Sequence, residues 1–233
     1  MKIYITGYSG FVGSYLFKKL SKKNTVKKVN LRKIPILDSN NYERYLNEFN
    51  KADVIINLAA SLNPKTKHDF FINQDFPEII EKYMKNRKKK ILIIHISTIN
   101  VLNKHILDPY TVSKRVAEKK LKRSRCTILR LPLIVNKTKR HYINGGQLKF
   151  FFNYLNFKFL PIYPMVYPGT KFSPILLKDL LNFISKLVTQ KKITKKIYNL
   201  SGDKNLTMWN LFEEIAKIKG KRIFKVKIKF LNI

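Results

Sequence analysis

Two patterns of hydrophobic residues alternate along the chain, one typical of strands and the other typical of helices. Short apolar runs, which are typical of strands, occur at residues 2–5, 26–31, 52–60, 90–96, 127–135, 196–200 and 222–230. Between most of them, apolar residues recur with the spacing of one helix face, at residues 11–20, 41–49, 70–83, 110–121, 176–188 and 207–218. Strands that alternate with helices indicate a parallel sheet covered by helices on both faces. The pattern therefore predicts an α/β fold built on a doubly wound parallel sheet.

The length of the chain limits the number of domains. With 233 residues it can bury a substantial core, and we expect one main domain over residues 1–233. Residues 140–175 and 195–233 are expected to form a small C-terminal subdomain on the substrate side. Thr207 and Gly220 predict the two ends of the last helix, and Pro77 predicts a helix start or a kink.

A glycine-rich turn follows the first strand and leads into the first helix. Because it has few side chains, its backbone can approach a pyrophosphate, which then faces the positive end of the helix. We therefore predict a dinucleotide site in a Rossmann fold, with a merely tight strand–helix turn as the alternative. The predicted cofactor contacts in this turn are Gly7, Tyr8, Ser9, Gly10, Phe11, Val12 and Gly13.

The end of the second strand bears on the choice between NAD and NADP. An acidic residue at this position binds the ribose 2′-hydroxyl of NAD. Arg32 stands here instead, and its charge suits the 2′-phosphate of NADP. We predict an NAD(P) cofactor and favour NADP, although Arg32 is also simply one more cation in a basic chain.

The net charge of +34 arises from 48 Lys and Arg residues against 14 Asp and Glu residues. These cations are spread over the whole chain and no nucleic-acid-binding signature accompanies them, so we expect weak adsorption to polyanions and no specific nucleic-acid binding.

The single cysteine, Cys126, excludes an internal disulfide. No apolar run is long enough to span a bilayer, and no signal peptide is recognised, so we expect a cytoplasmic enzyme. No metal site is predicted.

Two groups of residues carry candidate chemistry. Tyr110 and Lys114 are four residues apart and share one helix face. A nearby ammonium would favour the phenolate, so that Tyr110 could exchange a proton with a substrate oxygen. Ser97 and Thr98 end an apolar strand, where sheet ligands bind, and one of the two hydroxyls could orient that oxygen. The alternative for this pair is a turn or a helix cap.

Together these motifs resemble the short-chain dehydrogenase/reductase superfamily, most closely its extended branch of NAD-dependent epimerases and dehydratases. The resemblance covers nearly the whole chain, with the motifs in the family's order. The resembling residues are Thr6-Gly7-x-x-Gly10-x-x-Gly13, Asp38, Asn57-Leu58-Ala59-Ala60, Asn73, Ser97-Thr98, Tyr110-x-x-x-Lys114, Arg130-Leu131-Pro132, residues 172–179 and residues 197–202.

The resemblance implies specific roles for these residues. Thr98 matches the catalytic hydroxyl, with Ser97 as runner-up, Tyr110 matches the acid/base, and Lys114 matches its partner, which also holds the cofactor ribose. Further matches imply that Asp38 approaches the adenine, Ala59 and Ala60 line the cofactor, Asn73 supports the site from a helix, and Pro132 lies near the nicotinamide.

The resemblance also has departures. Ile99-Asn100 replaces the acidic pair of the family's dehydratases, and the span from Thr98 to Tyr110 is short for its epimerases. We expect an NAD(P)-dependent epimerase or reductase acting on a nucleotide-linked sugar or a similar carbonyl or alcohol substrate. The alternative is a non-catalytic NADPH-binding module of a larger assembly. The sequence leaves the oligomeric state open, with a homodimer among the choices.

Overall fold

The computed structural model describes residues 1–36, 46–85, 91–121, 126–136, 162–166, 171–190 and 196–226. The chain divides into two compact units, Met1–Leu131 with Asp179–Leu200 and Pro132–Lys178 with Ser201–Ile233. The predicted cofactor contact Asp38, the first part of the predicted helix 41–49 and most of residues 140–175 lie outside the described residues. The predicted domain boundaries stay a prediction.

The described residues contain both strands and helices in alternation. The strands are β1 (Lys2–Thr6), β2 (Thr25–Val29), β3 (Val54–Asn57), β4 (Leu92–Thr98), β5 (Thr127–Leu131), β6 (Ile134–Val135), β7 (Ile162–Val166), β8 (Lys171–Phe172), β9 (Ile175–Leu176), β10 (Ile197–Asn199), β11 (Leu206–Thr207) and β12 (Arg222–Val226). The α-helices are α1 (Phe11–Leu20), α2 (Lys67–Phe70), α3 (Phe76–Lys85), α4 (Pro109–Lys120), α5 (Leu177–Gln190) and α6 (Met208–Lys219).

The first unit is built on a parallel sheet that, within the described residues, has six strands in the order β2-β1-β3-β4-β5-β10. From β1 the chain first adds β2 on one side and then crosses to add β3 on the other. The carboxyl ends of β1 and β3 therefore border the point at which the winding reverses, where open α/β sheets bind ligands. The predicted α/β fold with a parallel sheet is confirmed.

Alternating side chains of the central strands cover both faces of this sheet. Tyr4, Ile55, Ile93 and Ile128 belong to one buried cluster. The same cluster includes Phe71, Phe76, Ile80 and Tyr83 from the segment that contains α3. Ile3 and Ile5 are also fully buried, and because they alternate with Tyr4 they face the opposite side. This is the two-sided burial that the continuous apolar runs predicted.

Three of the differences between the predicted and the observed elements have a local reason. Strand β2 ends at Val29 because the side chain of Asn30 caps a 3-10 turn, Leu31–Lys33. The predicted strand 127–135 is interrupted after Leu131 because Pro132 has no N–H for the sheet, and β6 pairs with β9 instead. The predicted helix 70–83 contains a π-helical segment, Phe71–Asp75, directly before the helix that carries Pro77.

The second unit contains three two-stranded pairs in its described residues: β6 with β9, β8 with β11, and β7 with β12. Its helix α6 begins at a capping box in which Thr207 and Asn210 bond to each other's backbone N–H. The helix ends at Gly220, whose φ of 62° is left-handed. Both predicted helix ends are confirmed. Among the described residues, no helix combines the length and apolarity that a membrane crossing requires.

Candidate active site

The glycine turn lies against the segment that follows β3. Gly7 has a φ of +67°, and a Cβ added there would lie 2.7 Å from the backbone nitrogen of Ala59. The N–H of Ala59 donates a hydrogen bond to Thr6 Oγ1 (3.2 Å), and Thr6 Oγ1 donates to Asn57 Oδ1 (2.6 Å). These contacts bring the predicted cofactor contacts Gly7 and Ala59 together at the carboxyl ends of β1 and β3.

The start of α1 packs equally closely on the same turn. A Cβ at Gly13 would overlap the carbonyl oxygen of Gly7 and would lie 2.8 Å from Tyr8 Cα. Gly10 is the N-cap of α1, no side chain caps the helix there, and its first turn has no acidic residue. The turn is thus a backbone cradle that side chains would fill, and a cradle at the start of a helix fits the pyrophosphate of a dinucleotide.

Cations lie beside the end of β2. Arg32 occupies the 3-10 turn after this strand, where its N–H donates to Asn30 Oδ1 (3.1 Å) and its side chain is exposed. Lys28 places its Nζ 5.5 Å from the ring centroid of Tyr8, in the glycine turn. The structure therefore puts a basic residue at the position from which the sequence favoured NADP, and the choice of cofactor stays a prediction.

Ser97 and Thr98 have different surroundings, although the sequence left them as alternatives. Ser97 donates a hydrogen bond to Glu118 Oε1 (2.6 Å), and the guanidinium of Arg130 holds the same carboxylate through both of its oxygens. Thr98 ends β4, and its Oγ1 accepts the N–H of Asn100 (3.3 Å). Ser97 is thus held within a charged cluster, while the hydroxyl hydrogen of Thr98 remains able to bond a substrate oxygen.

Tyr110 and Lys114 lie near the start of α4, as their spacing predicted. Asp108 is the N-cap of this helix and accepts the N–H of Thr111 (2.9 Å), with Pro109 in the first turn. Lys114 is 1% exposed, and its Nζ donates to the carbonyl oxygen of Ile96 in β4 (2.9 Å). The same Nζ lies 6.0 Å from the ring centroid of Tyr110. A buried amine is therefore bonded to β4 and lies near the ring of Tyr110.

Burial controls the protonation of both side chains. It lowers the pKa of Lys114 to about 7, against the opposing effect of the Glu118 carboxylate. Burial, with a smaller contribution from Asp108, raises the pKa of Tyr110 to about 12. The sequence led us to expect that the ammonium would favour the phenolate. In the structure burial instead raises the pKa of Tyr110, which favours the protonated phenol.

Asn73 links the segment after β3 to helix α4, which carries Tyr110 and Lys114. It is fully buried in the π-helical segment, and its side chain bonds the backbone N–H and C=O of Ser61, both at 2.9 Å. Its amide also donates to Ser113 Oγ (3.0 Å), which donates to the carbonyl oxygen of Tyr110 (2.7 Å). This arrangement is consistent with the supporting role that the resemblance implies.

Sequence reasoning missed His95. Its Nδ1 lies 3.2 Å from Asn57 Nδ2, so that Thr6, Asn57 and His95 form a polar row across β1, β3 and β4. Thr6 Oγ1 donates to Asn57 Oδ1, and the Asn57 amide nitrogen is the donor toward His95 Nδ1. Burial, together with nearby Lys114, holds the pKa of His95 well below its usual range. The sequence could have indicated the involvement of His95, because Thr6, Asn57 and His95 are polar residues at or near the ends of apolar strands.

Ala60 and Pro132 were also predicted to contact the cofactor. Ala60 directly follows Ala59 and precedes Ser61, which Asn73 holds. Pro132 begins the second unit, directly after β5, and its predicted place near the nicotinamide stays a prediction. The roles assigned to the individual site residues likewise stay predictions.

Comparison with known proteins gives one family and a set of similar folds. Residues 1–142 match the family described as RmlD substrate binding domain. No curated protein sequence matches the chain. A dTDP-4-dehydrorhamnose reductase ortholog from Clostridium acetobutylicum has a similar structure, with a TM-score of 0.74 and 20% identity, and the match covers 98% of this chain and 84% of that one.

Two structures from Bacillus anthracis are also similar. One is a dTDP-4-dehydrorhamnose reductase in complex with NADP, with a TM-score of 0.73 and 16% identity, where 98% of this chain and 84% of that chain are covered. The other is a dTDP-glucose 4,6-dehydratase in complex with NAD, with a TM-score of 0.68, 20% identity, and coverage of 98% and 85%. At these identities the likeness establishes a common fold.

Proposed function

This chain belongs to the RmlD substrate binding domain family, and we propose that it reduces the keto group of a nucleotide-linked sugar with NADPH. The observation that carries the proposal is the pair on α4. Lys114 is buried and bonded to Ile96 of β4, and its Nζ lies 6.0 Å from the centroid of the Tyr110 ring. Neighbouring folds that are named as dTDP-4-dehydrorhamnose reductases support this choice of reaction.

The chain's own residues suit the binding of the cofactor. The cradle formed by Gly7, Gly10 and Gly13 would receive the pyrophosphate, and Ala59 would lie beside it. Arg32, with Lys28 close to the turn, would attract the 2′-phosphate that distinguishes NADPH from NADH. When bound, the reduced nicotinamide supplies the hydride of the reaction.

Tyr110 would supply the proton. Reduction of a carbonyl consumes one hydride and one proton, and a phenol whose pKa is about 12 keeps its proton at neutral pH. Tyr110 is therefore suited to act as a general acid toward the carbonyl oxygen as negative charge develops there. The hydroxyl of Thr98, whose Oγ1 already accepts one N–H, would donate a hydrogen bond to the same oxygen.

Lys114 would keep the proton supply close to Tyr110. With a pKa of about 7, this amine exists in both protonation states near neutral pH and can return a proton to the phenolate after each turnover. An epimerase would need Tyr110 to remove a proton first, and its raised pKa opposes that step. Dehydration is disfavoured for a different reason, since Ile99-Asn100 stands where the family's dehydratases have an acidic pair.

The direct test is oxidation of NADPH, followed by its absorbance, with dTDP-4-dehydrorhamnose as the first substrate. We expect turnover with NADPH, and we expect Tyr110→Phe to lower kcat by about 10²- to 10⁴-fold without weakening NADPH binding. Tyr198→Phe, the same change on strand β10, is the matched control and should keep normal turnover. Full activity of Tyr110→Phe would contradict the mechanism. Tight NADPH binding without turnover on a panel of nucleotide-linked keto sugars would favour the non-catalytic module.

A further inference from the structure

The segment that joins Thr98 to Tyr110 is short and has little apolar anchorage. Within residues 99–108, all of which the structure describes, Val101 is the one buried residue. Leu102 and Leu107 are 53% and 73% exposed. Burial of side chains therefore does not explain how this segment keeps one shape.

Local hydrogen bonds shape the segment into successive turns. A 3-10 turn, Ile99–Leu102, follows Thr98, and the N–H of Asn103 closes it on the carbonyl of Asn100 (3.0 Å). The next turn joins the N–H of Ile106 to the carbonyl of Asn103 (3.2 Å). Each of these turns is closed by a single backbone hydrogen bond, which contributes little net stability by itself.

Arg115 binds three carbonyl groups of this segment at once. Its Nε donates to Val101 O (3.3 Å), and its Nη2 donates to Asn103 O (2.9 Å) and Ile106 O (3.1 Å). A planar guanidinium presents its donors in a fixed fork, whereas a lysine ammonium does not. One side chain thus joins the first turn to the second.

The position of Arg115 connects these turns to the proposed catalytic pair. It directly follows Lys114 on α4, and that helix is fixed to β4 by the bond from Lys114 to Ile96. At one end of the segment the N–H of Asn100 bonds Thr98 Oγ1, and at the other Asp108 caps α4 just before Tyr110. The segment therefore connects Thr98 directly to the start of the helix that carries Tyr110.

We infer that Arg115 is a positioning residue, which holds residues 99–108 in the shape that aligns Thr98 with Tyr110. This inference rests on the proposed function for its catalytic consequence, but the ordering of the segment is a property of the protein alone.

The test measures amide hydrogen exchange and turnover in Arg115→Ala and Arg115→Lys. In Arg115→Ala we expect exchange in residues 99–108 to accelerate by about tenfold or more, since the lost bonds are to a charged donor. Exchange in β4 should stay normal, and kcat should fall by about tenfold while the KM for NADPH is unchanged. Arg115→Lys should behave like Arg115→Ala, because it keeps the charge and loses the fork.

Two controls separate positioning from a general loss of charge or stability. Lys119→Ala removes an exposed cation from the same helix and should change neither measurement. Guanidinium ion at a non-denaturing concentration should restore slow exchange and part of the turnover to Arg115→Ala, and should not affect Arg115→Lys, whose side chain fills the space.

The possible outcomes are distinguishable. Unchanged exchange in residues 99–108 of Arg115→Ala overturns the inference, whether or not the protein has turnover. Accelerated exchange with normal kcat in an active enzyme overturns the positioning role. If the unaltered protein reduces no keto sugar, the proposed function fails, while the exchange measurement still decides whether Arg115 orders the segment.

Discussion

The glycine turn and helix α4 form the two halves of the candidate site by opposite means. The turn works through the absence of side chains: Gly7 and Gly13 allow backbone to meet backbone where a Cβ would collide. Helix α4 works through side chains that are buried against their ordinary preference, Lys114 above all. The first half depends on shape, and the second depends on charge in a poorly solvated environment.

This difference determines how each half responds to change. The backbone of the turn has no titratable group, so its contacts with the pyrophosphate of the cofactor should vary little with pH. These contacts should be lost only when a substitution adds side-chain atoms to the turn. The helix depends on a buried amine and on the charged cluster of Ser97, Glu118 and Arg130, so it should respond to the loss of a partner and to pH. Three predictions test this contrast.

The largest effect is expected in the charged cluster that supports α4. Arg130→Leu should lower the free energy of unfolding by about 3–5 kcal/mol, because it leaves Glu118, whose side chain is 9% exposed, without its cation. The double variant Glu118→Leu/Arg130→Leu should recover much of that loss, since no unpaired charge remains. Urea denaturation of the two single variants and the double variant measures the coupling. Additive losses would show that the pair does not act as a unit.

A smaller loss is expected from filling the cradle. Gly13→Ala should cost about 1–3 kcal/mol, because its Cβ overlaps backbone atoms that cannot move aside. It should also abolish NADPH binding, measured by the fluorescence of the reduced cofactor. Gly10→Ala is the matched control: its Cβ would lie 3.3 Å from Gly7 O, so it should lower stability less than Gly13→Ala does. Equal behaviour of the two variants would mean that the close approach at Gly13 is unimportant.

The smallest effect is the pH dependence of stability that Lys114 causes. Its pKa is about 7 in the folded protein and 10.5 as an ordinary lysine. Above pH 7 the unfolded chain therefore binds a proton at Lys114 that the folded chain has released, so the contribution of Lys114 to the free energy of unfolding should rise with pH by about 1 kcal/mol per unit between pH 7 and 9. In Lys114→Met this rise should disappear, while in Lys119→Met, on the exposed side of α4, it should persist. The same slope in all three proteins would contradict the buried amine.

Much of the fold was predictable because it depends on local patterns. Continuous apolar runs predicted the buried strands, and Thr207 and Gly220 predicted the ends of α6, because a cap depends on residues within one turn of helix. The π-helical segment before Pro77 was not predicted, because the pattern of apolar residues is nearly the same in an α-helix. The interruption of the predicted strand 127–135 after Leu131 was not predicted, although Pro132 explains it.

In the candidate site, too, local features were predictable and features that depend on distant residues were not. By itself the sequence determined the glycine positions of the turn and the shared face of Tyr110 and Lys114, because backbone conformation and helical spacing are local properties. Only the tertiary structure decided that Ser97 is held by Glu118 and Arg130, that His95 joins the polar row, and that Arg115 holds the segment before Tyr110. It also reversed the expected protonation of Tyr110, because a pKa depends on how fully distant parts of the chain exclude water from a side chain.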